Sequence, residues 1–535
     1  MSPRIEIYDV TLRDGAQGPG IKFSAEDQLR IACALDAFGV SYIEGGQPGS
    51  NPKAAELFAR TKDLGLSRAK MVAFGSTRHP KSSVETDANI KALLAADTET
   101  ITIFAKSSPP HVEHVLRVSL DENLRLVHES VAYLRAQNRR VFFDAEHFFD
   151  GYALDAGYAL AVLDSACDAG AELLVLCETN GGRLPHEVSA ITRAVHERFP
   201  EAPLGIHTHN DGGCAVANAL AAVLEGAVHV QGTINGYGER TGNANLCTVV
   251  PDLQLKMGYD VVSPEQLSQL THLSHLVAEL ANMAPRDFDP FVGRDAFTHK
   301  GGMHADAVHK FKPSYEHADP DTVGNRTRVP VSEVSGRSSL LQKAGELGMR
   351  LDRDNPLTRR ILNQIKQLEK EGFEFEGADA SLKLLLHKAR GEYQSFFKVR
   401  GFHVSVSKHP DDRHPLSEAT VRIDLPDGTR LHTAAEGHGP VDALNAALRK
   451  AIEDIYPEIR EVRLEDYKVR ILNARAGTRA RTRVLIEFSD TEETWNTVGV
   501  SENVIFASYV ALIDSIVYKL LRSRGPAPSV QADDD

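Results

Sequence analysis

The sequence predicts an α/β chain: a (β/α)8 TIM barrel, a helical linker subdomain and a C-terminal α+β domain. Three observations lead there. Eight short apolar runs alternate with amphipathic helical stretches from the N-terminus to about residue 280. Polar residues cluster at the C-terminal ends of those runs, where a barrel of this kind carries its chemistry. Beyond residue 395 the pattern changes to period-two alternation followed by a helix, and that order occurs twice.

The eight runs are residues 5–10, 40–44, 71–74, 101–104, 141–144, 173–177, 204–207 and 229–234. Helical patterns such as 25–38 and 215–225 separate them, so each pair reads as a βα unit. An open doubly wound sheet is the alternative. Domain boundaries are expected at 1–280 for the barrel, 281–395 for the linker subdomain, 396–523 for the C-terminal domain and 524–535 for a disordered tail ending in three aspartates. In the linker, 298–304 (Thr298-His-Lys-Gly-Gly-Met-His304) reads as loop, while 338–346 and 357–371 read as helices. In the C-terminal domain strands are expected at 402–407, 419–425, 467–472 and 482–488, with helices at 441–455 and 504–521.

Composition narrows the function classes. The chain has 535 residues, 42% hydrophobic and 25% charged, with a formal net charge of -14. That charge gives no support to nucleic-acid binding, and no basic run with interleaved aromatics occurs. No apolar run reaches the ~20 residues of a membrane span. The first strand begins at once, which leaves no room for a signal peptide, so a cytoplasmic protein is expected. Five cysteines, odd in number and without a C-x-x-C pair, read as reduced thiols.

The chemistry-bearing segments are Asp9-Val-Thr-Leu-Arg-Asp-Gly15, Gly205-Ile-His-Thr-His-Asn-Asp211 and Gly238-Glu-Arg-Thr-Gly-Asn243. His207 and His209, two apart on a strand, project from one face and offer two imidazoles to one cation. Asp14 adds a carboxylate and Asn243 an amide oxygen, a mixed N/O set suited to Mg²⁺, Mn²⁺ or Zn²⁺. Such an ion can chelate a 2-oxo acid and polarise its ketone. Arg13 is placed to stabilise negative charge on that oxygen, and Glu44 to orient Arg13 or support the metal. Thr179, followed by Gly181 and Gly182, can hydrogen-bond a substrate carboxylate. Glu146 can take or relay a proton, whereas His147 points to the other face and reads as packed. His304, with His299 as its alternative, and Tyr315 are candidates for moving a proton at a carbon beside a thioester.

Together with Gly236-Tyr-Gly-Glu-Arg-Thr-Gly-Asn-Ala-Asn-Leu246 and Gly301-Gly-Met-His-Ala-Asp306, these segments resemble the acyl-CoA-dependent Claisen condensation enzymes, which include the 2-isopropylmalate, homocitrate and citramalate synthases. Asp144-Ala-Glu-His-Phe-Phe-Asp-Gly-Tyr152, Glu436-Gly-His-Gly-Pro440 and Thr497-Val-Gly-Val-Ser-Glu-Asn503 look most like the citramalate synthase branch. The resemblance covers nearly the whole chain. It implies an acyltransferase that joins acetyl-CoA to pyruvate and releases (R)-citramalate and CoA, the first step of a threonine-independent isoleucine route. By motif position it implies Asp14, His207 and His209 as metal ligands, with Asn243 close by as a possible fourth. Arg13 would then act on the ketone, Thr179 on the carboxylate, and Glu146, His304 and Tyr315 in proton transfer. It also implies a regulatory C-terminal domain that forms a homodimer and binds a branched-chain amino acid, isoleucine here. Alternatives are a 2-isopropylmalate synthase, another metal-dependent aldolase or lyase on this barrel, or a non-catalytic amino-acid sensor. Val10, Gln47, Glu178 and the segment 106–111 depart from the branch pattern, and all flank the pocket that would choose the acceptor acid.

Overall fold

The computed structural model describes residues 3–525 apart from 50–51, 63, 330–336, 353–354, 376–377, 392, 394, 409–413, 473–476 and 478. Of the tail expected at 524–535, residues 526–535 lie outside the described residues, and Arg524 still belongs to the last helix. The chain divides into two compact units. One comprises Met1–Phe297 with Glu316–Thr327, the other Thr298–Tyr315 with Arg328–Asp535.

The first unit is a closed barrel of eight parallel strands: β1 (Glu6–Asp9), β2 (Tyr42–Gly46), β3 (Lys70–Ser76), β4 (Thr100–Lys106), β5 (Arg140–Glu146), β6 (Leu173–Glu178), β7 (Leu204–Thr208) and β8 (Ala227–Gly232). Closure is made by β1, which pairs with β2 through Tyr8 and Tyr42 and with β8 through Tyr8 and Gln231. Helix ends are set locally. Ser24 and Asp27 form a capping box that starts Ala25–Phe38, and Gly39 in the left-handed region ends it. The apolar outer faces of the strands and the inner faces of these helices share one continuous core.

Period two sorts the interior into storeys. Along β5, Phe142, Asp144 and Glu146 alternate inward. Phe142 joins Tyr8, Tyr42 and His229 in an aromatic floor, with ring centroids 5.1 to 6.5 Å apart. Above it lies a polar layer containing Glu44, Asp144 and Gln231, all buried. Glu146 lines the mouth. The floor closes the bore, so the pocket opens at one end only.

The second unit carries a repeat. β9 (Lys398–Ser407), β10 (Leu416–Asp424) and β11 (Arg430–Gly437) form an antiparallel sheet in the order β11-β10-β9, followed by helix Pro440–Ile452. β12 (Arg463–Ile471), β13 (Thr482–Ser489) and β14 (Thr494–Ser501) form another in the order β12-β13-β14, followed by helix Val504–Arg524. Each central strand buries alternate residues: Ala419, Val421 and Ile423 on β10, and Val484, Ile486 and Phe488 on β13. β11 and β14 were not among the expected strands. β11 alternates only between exposed and half-buried positions, filled by Leu431, Thr433, Ala435 and Gly437 on the inner side, and β14 interrupts its apolar run with Asn496, Thr497 and Gly499, so neither shows an apolar alternation in its residue types.

Two further expectations need correction. The segment read as loop at 298–304 becomes helical at Gly302, within helix Gly302–Lys310, because its Gly-Gly pair lies at the helix start rather than inside it. Helix Asp379–Ala389 was not anticipated; its Leu382, Leu384, Leu385 and Leu386 are all buried, so the apolar face is too broad to show a helical stripe. Helix Val504–Arg524 is long and apolar enough to cross a membrane by length and composition, and most of its apolar window is buried inside the protein. All five cysteines are free thiols.

Candidate active site

Asp14, His207 and His209 meet at the barrel mouth, all three buried. The Nε2 atoms of the two histidines lie 3.3 Å apart and stand 3.8 and 3.9 Å from Asp14 Oδ2. The point equidistant from the corners of that triangle is about 2.1 Å from each, the length of an ordinary metal–nitrogen or metal–oxygen bond. His207 is the next-to-last residue of β7, on its inward face. His209 lies one residue beyond β7 and is held by an isolated bridge to Asn243.

Protonation favours a cation. Burial, aided by His209, brings His207 down to about 3, and burial likewise lowers His209. Burial works against the Asp14 carboxylate, but Arg13 and the two histidines outweigh it and hold Asp14 at about 2. At neutral pH the corners are therefore one anion and two neutral imidazoles, the form that metal ligation requires. His207 Nδ1 lies 3.0 Å from Gln231 Oε1, which fixes the tautomer that leaves Nε2 its lone pair. The two Nε2 atoms, 3.3 Å apart, share at most one hydrogen, and His209 Nδ1 and Asn243 Oδ1 are buried without partners. The donor set and the spacing fit a divalent ion.

Around this triangle the support is layered. Asn243 donates its amide N–H to Asp14 Oδ1 at 2.9 Å and to the Tyr237 carbonyl at 3.1 Å, so its nitrogen rather than its oxygen faces the site. Glycine permits this: a Cβ on Gly238 would lie 2.2 Å from Asn243 Nδ2, and one on Gly242 would lie 1.9 Å from the Gly236 carbonyl. Arg13 donates to Asp14 Oδ2 at 2.9 Å and to Glu44 Oε1, and its guanidinium lies 4.0 Å above the Phe74 ring. Burial would lower the Arg13 pKa, but Glu44 and Asp14 more than offset it, so the cation is fixed. Tyr8 in turn donates to Glu44 Oε2 at 2.6 Å.

Thr179 stands one residue past β6. Its Oγ1 accepts the His147 backbone N–H at 2.8 Å, which leaves the hydroxyl proton to donate elsewhere. His147 makes that bond from a left-handed backbone, φ 59°, and its ring stacks on His111 with centroids 3.8 Å apart. Arg240 ties that loop to the one after β7, donating to the Thr179 carbonyl at 2.7 Å and to the Asp211 carboxylate. Glu146 is paired with Lys106. A cavity of about 210 Å³ is lined by Arg13, Asp14, Glu146, Thr179, His207 and His209, with Phe74, Phe104 and Cys177 as an apolar wall. His304 and Tyr315 belong to the second unit. There they are exposed and their rings stack at 4.1 Å, with His299 6.5 Å from Tyr315.

Family comparisons agree with this architecture. Residues 4–277 match the HMGL-like family, 291–372 the homocitrate synthase post-HMGL domain-like family, and 376–520 the LeuA allosteric (dimerisation) domain. The (R)-citramalate synthase of Aquifex aeolicus is 51% identical over 98% of this chain and 99% of its own length. That of Geobacter sulfurreducens is 52% identical over 97% and 98%. The chain belongs to the citramalate synthase family. A 2-isopropylmalate synthase from Shouchella clausii, 31% identical over 96% of both chains, is a more distant relative. The dimerisation-domain match adds a homodimer with allosteric regulation to what citramalate synthase membership implies.

Several supporting residues were not singled out in the sequence: Tyr8, Phe74, Phe104, Lys106, Asp144, Gln231 and Arg240. Their signal was available in part. Tyr8, Asp144 and Gln231 occupy inward positions on strands whose other inward residues were noted. Lys106 and Arg240 act from loops or strand ends, where no period identifies a partner.

Proposed function

We propose that this chain is a metal-dependent citramalate synthase that condenses acetyl-CoA with pyruvate and hydrolyses the thioester to (R)-citramalate and CoA. The observation that carries this reading is the convergence of Asp14 Oδ2 and the two Nε2 atoms beside Arg13, in a chain half identical to (R)-citramalate synthases. A divalent ion bound by Asp14, His207 and His209, Mg²⁺ or Mn²⁺ before Zn²⁺, would supply Lewis acidity toward a chelating 2-oxo acid.

The chain's own groups do the rest. Arg13, two of whose donors are engaged with Asp14 and Glu44, offers the remaining N–H groups to negative charge developing on the ketone oxygen. Thr179 donates its hydroxyl to the substrate carboxylate. Asn243 orients Asp14 rather than serving as the fourth ligand. Glu146, tempered by Lys106, takes or relays a proton at the mouth, and His304 with Tyr315 serves deprotonation of the thioester methyl. The Phe74, Phe104 and Cys177 wall suits the methyl of pyruvate, and a larger 2-oxo acid must displace it. Isoleucine binding by the C-terminal domain and a cytoplasmic location complete the reading.

The deciding experiment supplies acetyl-CoA with mixed 2-oxo acids and identifies the product by mass spectrometry. Citramalate as the main product is expected. A dominant product from 2-oxoisovalerate would make the chain a 2-isopropylmalate synthase. No CoA release with any acid would overturn catalysis altogether.

A further inference from the structure

Arg240 occupies a place that stability alone does not explain. Its backbone lies in the left-handed region, φ 57°, which strains a residue with a Cβ, although Gly238 and Gly242 stand two positions away on either side. Its side chain is 42% exposed, and an ion pair in that setting returns little stability. The guanidinium is a fork all the same. Nε donates to Asp211 Oδ1 at 2.8 Å, and Nη2 donates to Asp211 Oδ2 at 2.9 Å and to the Thr179 carbonyl at 2.7 Å. Backbone bonds already join the loop after β6 to the loop after β7, from the Gly212 N–H to the Gly181 carbonyl, and the loop after β7 to that after β8, from the Asn210 N–H to the Gly242 carbonyl. Among the described residues, the bond from Arg240 to Thr179 is the one hydrogen bond between the loop after β6 and the loop after β8. A glycine lets the parts close: a Cβ on Gly181 would lie 2.5 Å from Asp211 Oδ2. Thr179 is thus anchored twice, at its carbonyl by Arg240 and at Oγ1 by the His147 N–H. With the stiff χ1 of a β-branched side chain, these anchors set where its hydroxyl points.

We propose that Arg240 is a positioning residue for the acceptor acid: clamped by Asp211, it sets the Thr179 hydroxyl that receives the acid's carboxylate. The inference rests on the assignment of Thr179 to that carboxylate, and on nothing about which 2-oxo acid is the acceptor. Arg240 also lines the pocket, so direct contact with the acid is the rival role. The two roles differ in how substitutions combine. A residue that acts only through Thr179 has nothing left to do once the hydroxyl is gone, whereas a direct ligand still loses its own contact.

The test is calorimetric titration of the full-length, Mn²⁺-loaded protein with pyruvate, or with 2-oxoisovalerate should that prove the acceptor. Arg240→Gly suits the left-handed backbone and removes the fork; Thr179→Val removes the hydroxyl and keeps the branched shape. Each is expected to weaken binding of the acid, and to raise its KM, by about tenfold or more, while the KM for acetyl-CoA and the affinity for Mn²⁺ stay within about twofold. The double variant should bind the acid no more than about twofold worse than Thr179→Val. The melting temperature of Arg240→Gly should change little, because relief of strain offsets the extra freedom of glycine in the unfolded chain; an arginine needed only for folding would lower it and leave acid binding intact. Effects that multiply in the double variant, or a loss confined to Arg240→Gly, would make Arg240 a ligand of the acid itself and overturn the positioning role. A loss in Thr179→Val with none in Arg240→Gly would overturn it while the assignment of Thr179 stands. No loss in either would sink both.

Discussion

Two buried carboxylates, one in each half of the molecule, are treated very differently. Asp490, at the turn between β13 and β14, has every lone pair in use. Its Oδ1 accepts the backbone N–H groups of Glu492 and Glu493 at 2.8 and 2.9 Å, and its Oδ2 takes Lys519 at 2.7 Å together with Arg522. Asp14 has Arg13 and Asn243, but its Oδ2 also faces two imidazole nitrogens at 3.8 and 3.9 Å, too far for a hydrogen bond and spaced for a shared cation. A buried ion whose partners are complete serves the fold. One left beside unpaired donors and acceptors waits for a ligand.

That contrast can be broken most directly at the mouth. His207→Ala or His209→Ala should reduce CoA release about a thousandfold or more, while stability to denaturant changes by no more than about 2 kcal/mol. Variants that fail to fold would make the triangle structural and erase the distinction. At the other pole, Asp490→Ala leaves Lys519, which is only 4% exposed, with Glu461 at 3.2 Å as its remaining carboxylate, and should cost about 1–3 kcal/mol by denaturant titration. The full-length variant should still bind Mn²⁺ at the barrel. Loss of that binding would show that Asp490 is not confined to a structural role.

A finer test lies one shell out. Gln231→Leu removes the group that fixes the His207 tautomer and should lower metal affinity about 10–100-fold by calorimetry, with little change in melting temperature. The smallest effect is on acid stability. Burial opposes ionisation of Asp490, but Lys519, the two backbone N–H groups and Arg522 overcome it and hold its pKa well below the ordinary range. A depressed carboxylate contributes its full stability above its unfolded pKa of about 4 and loses it as pH falls toward the folded value. The melting temperature of the intact chain should therefore decline more steeply below about pH 4 than that of Asp490→Asn. Parallel curves would remove Asp490 from the acid response.

The same contrast explains what could be read from the residues alone. The barrel was legible because its strands are continuous apolar runs, buried on both faces and separated by helices of regular period. Asp14, His207 and His209 were legible because ligands on a strand or just past its end keep a fixed spacing. The support around them was not: Tyr8 reaches Glu44 across 36 positions and Gln231 reaches Asp144 across 87, and nothing local to either residue announces the other. In the C-terminal half, β11 escaped because its inward positions are only half-buried and include Thr433 and Gly437, and β14 because polar and glycine residues fill buried positions such as Thr497 and Gly499. Helix Gly302–Lys310 escaped because two glycines spell a turn wherever the helix start is unknown.

The loop from Ile234 to Asn243 has a last implication, for inheritance rather than chemistry. Glycine at 238 and 242 leaves space that even one methyl group would take from Asn243 or from the Gly236 carbonyl. In a saturation library these two positions, neither of which touches a ligand, should tolerate fewer replacements than the pocket's aromatic wall. Descendants of this gene are then free to change what they bind long before they are free to redraw that loop.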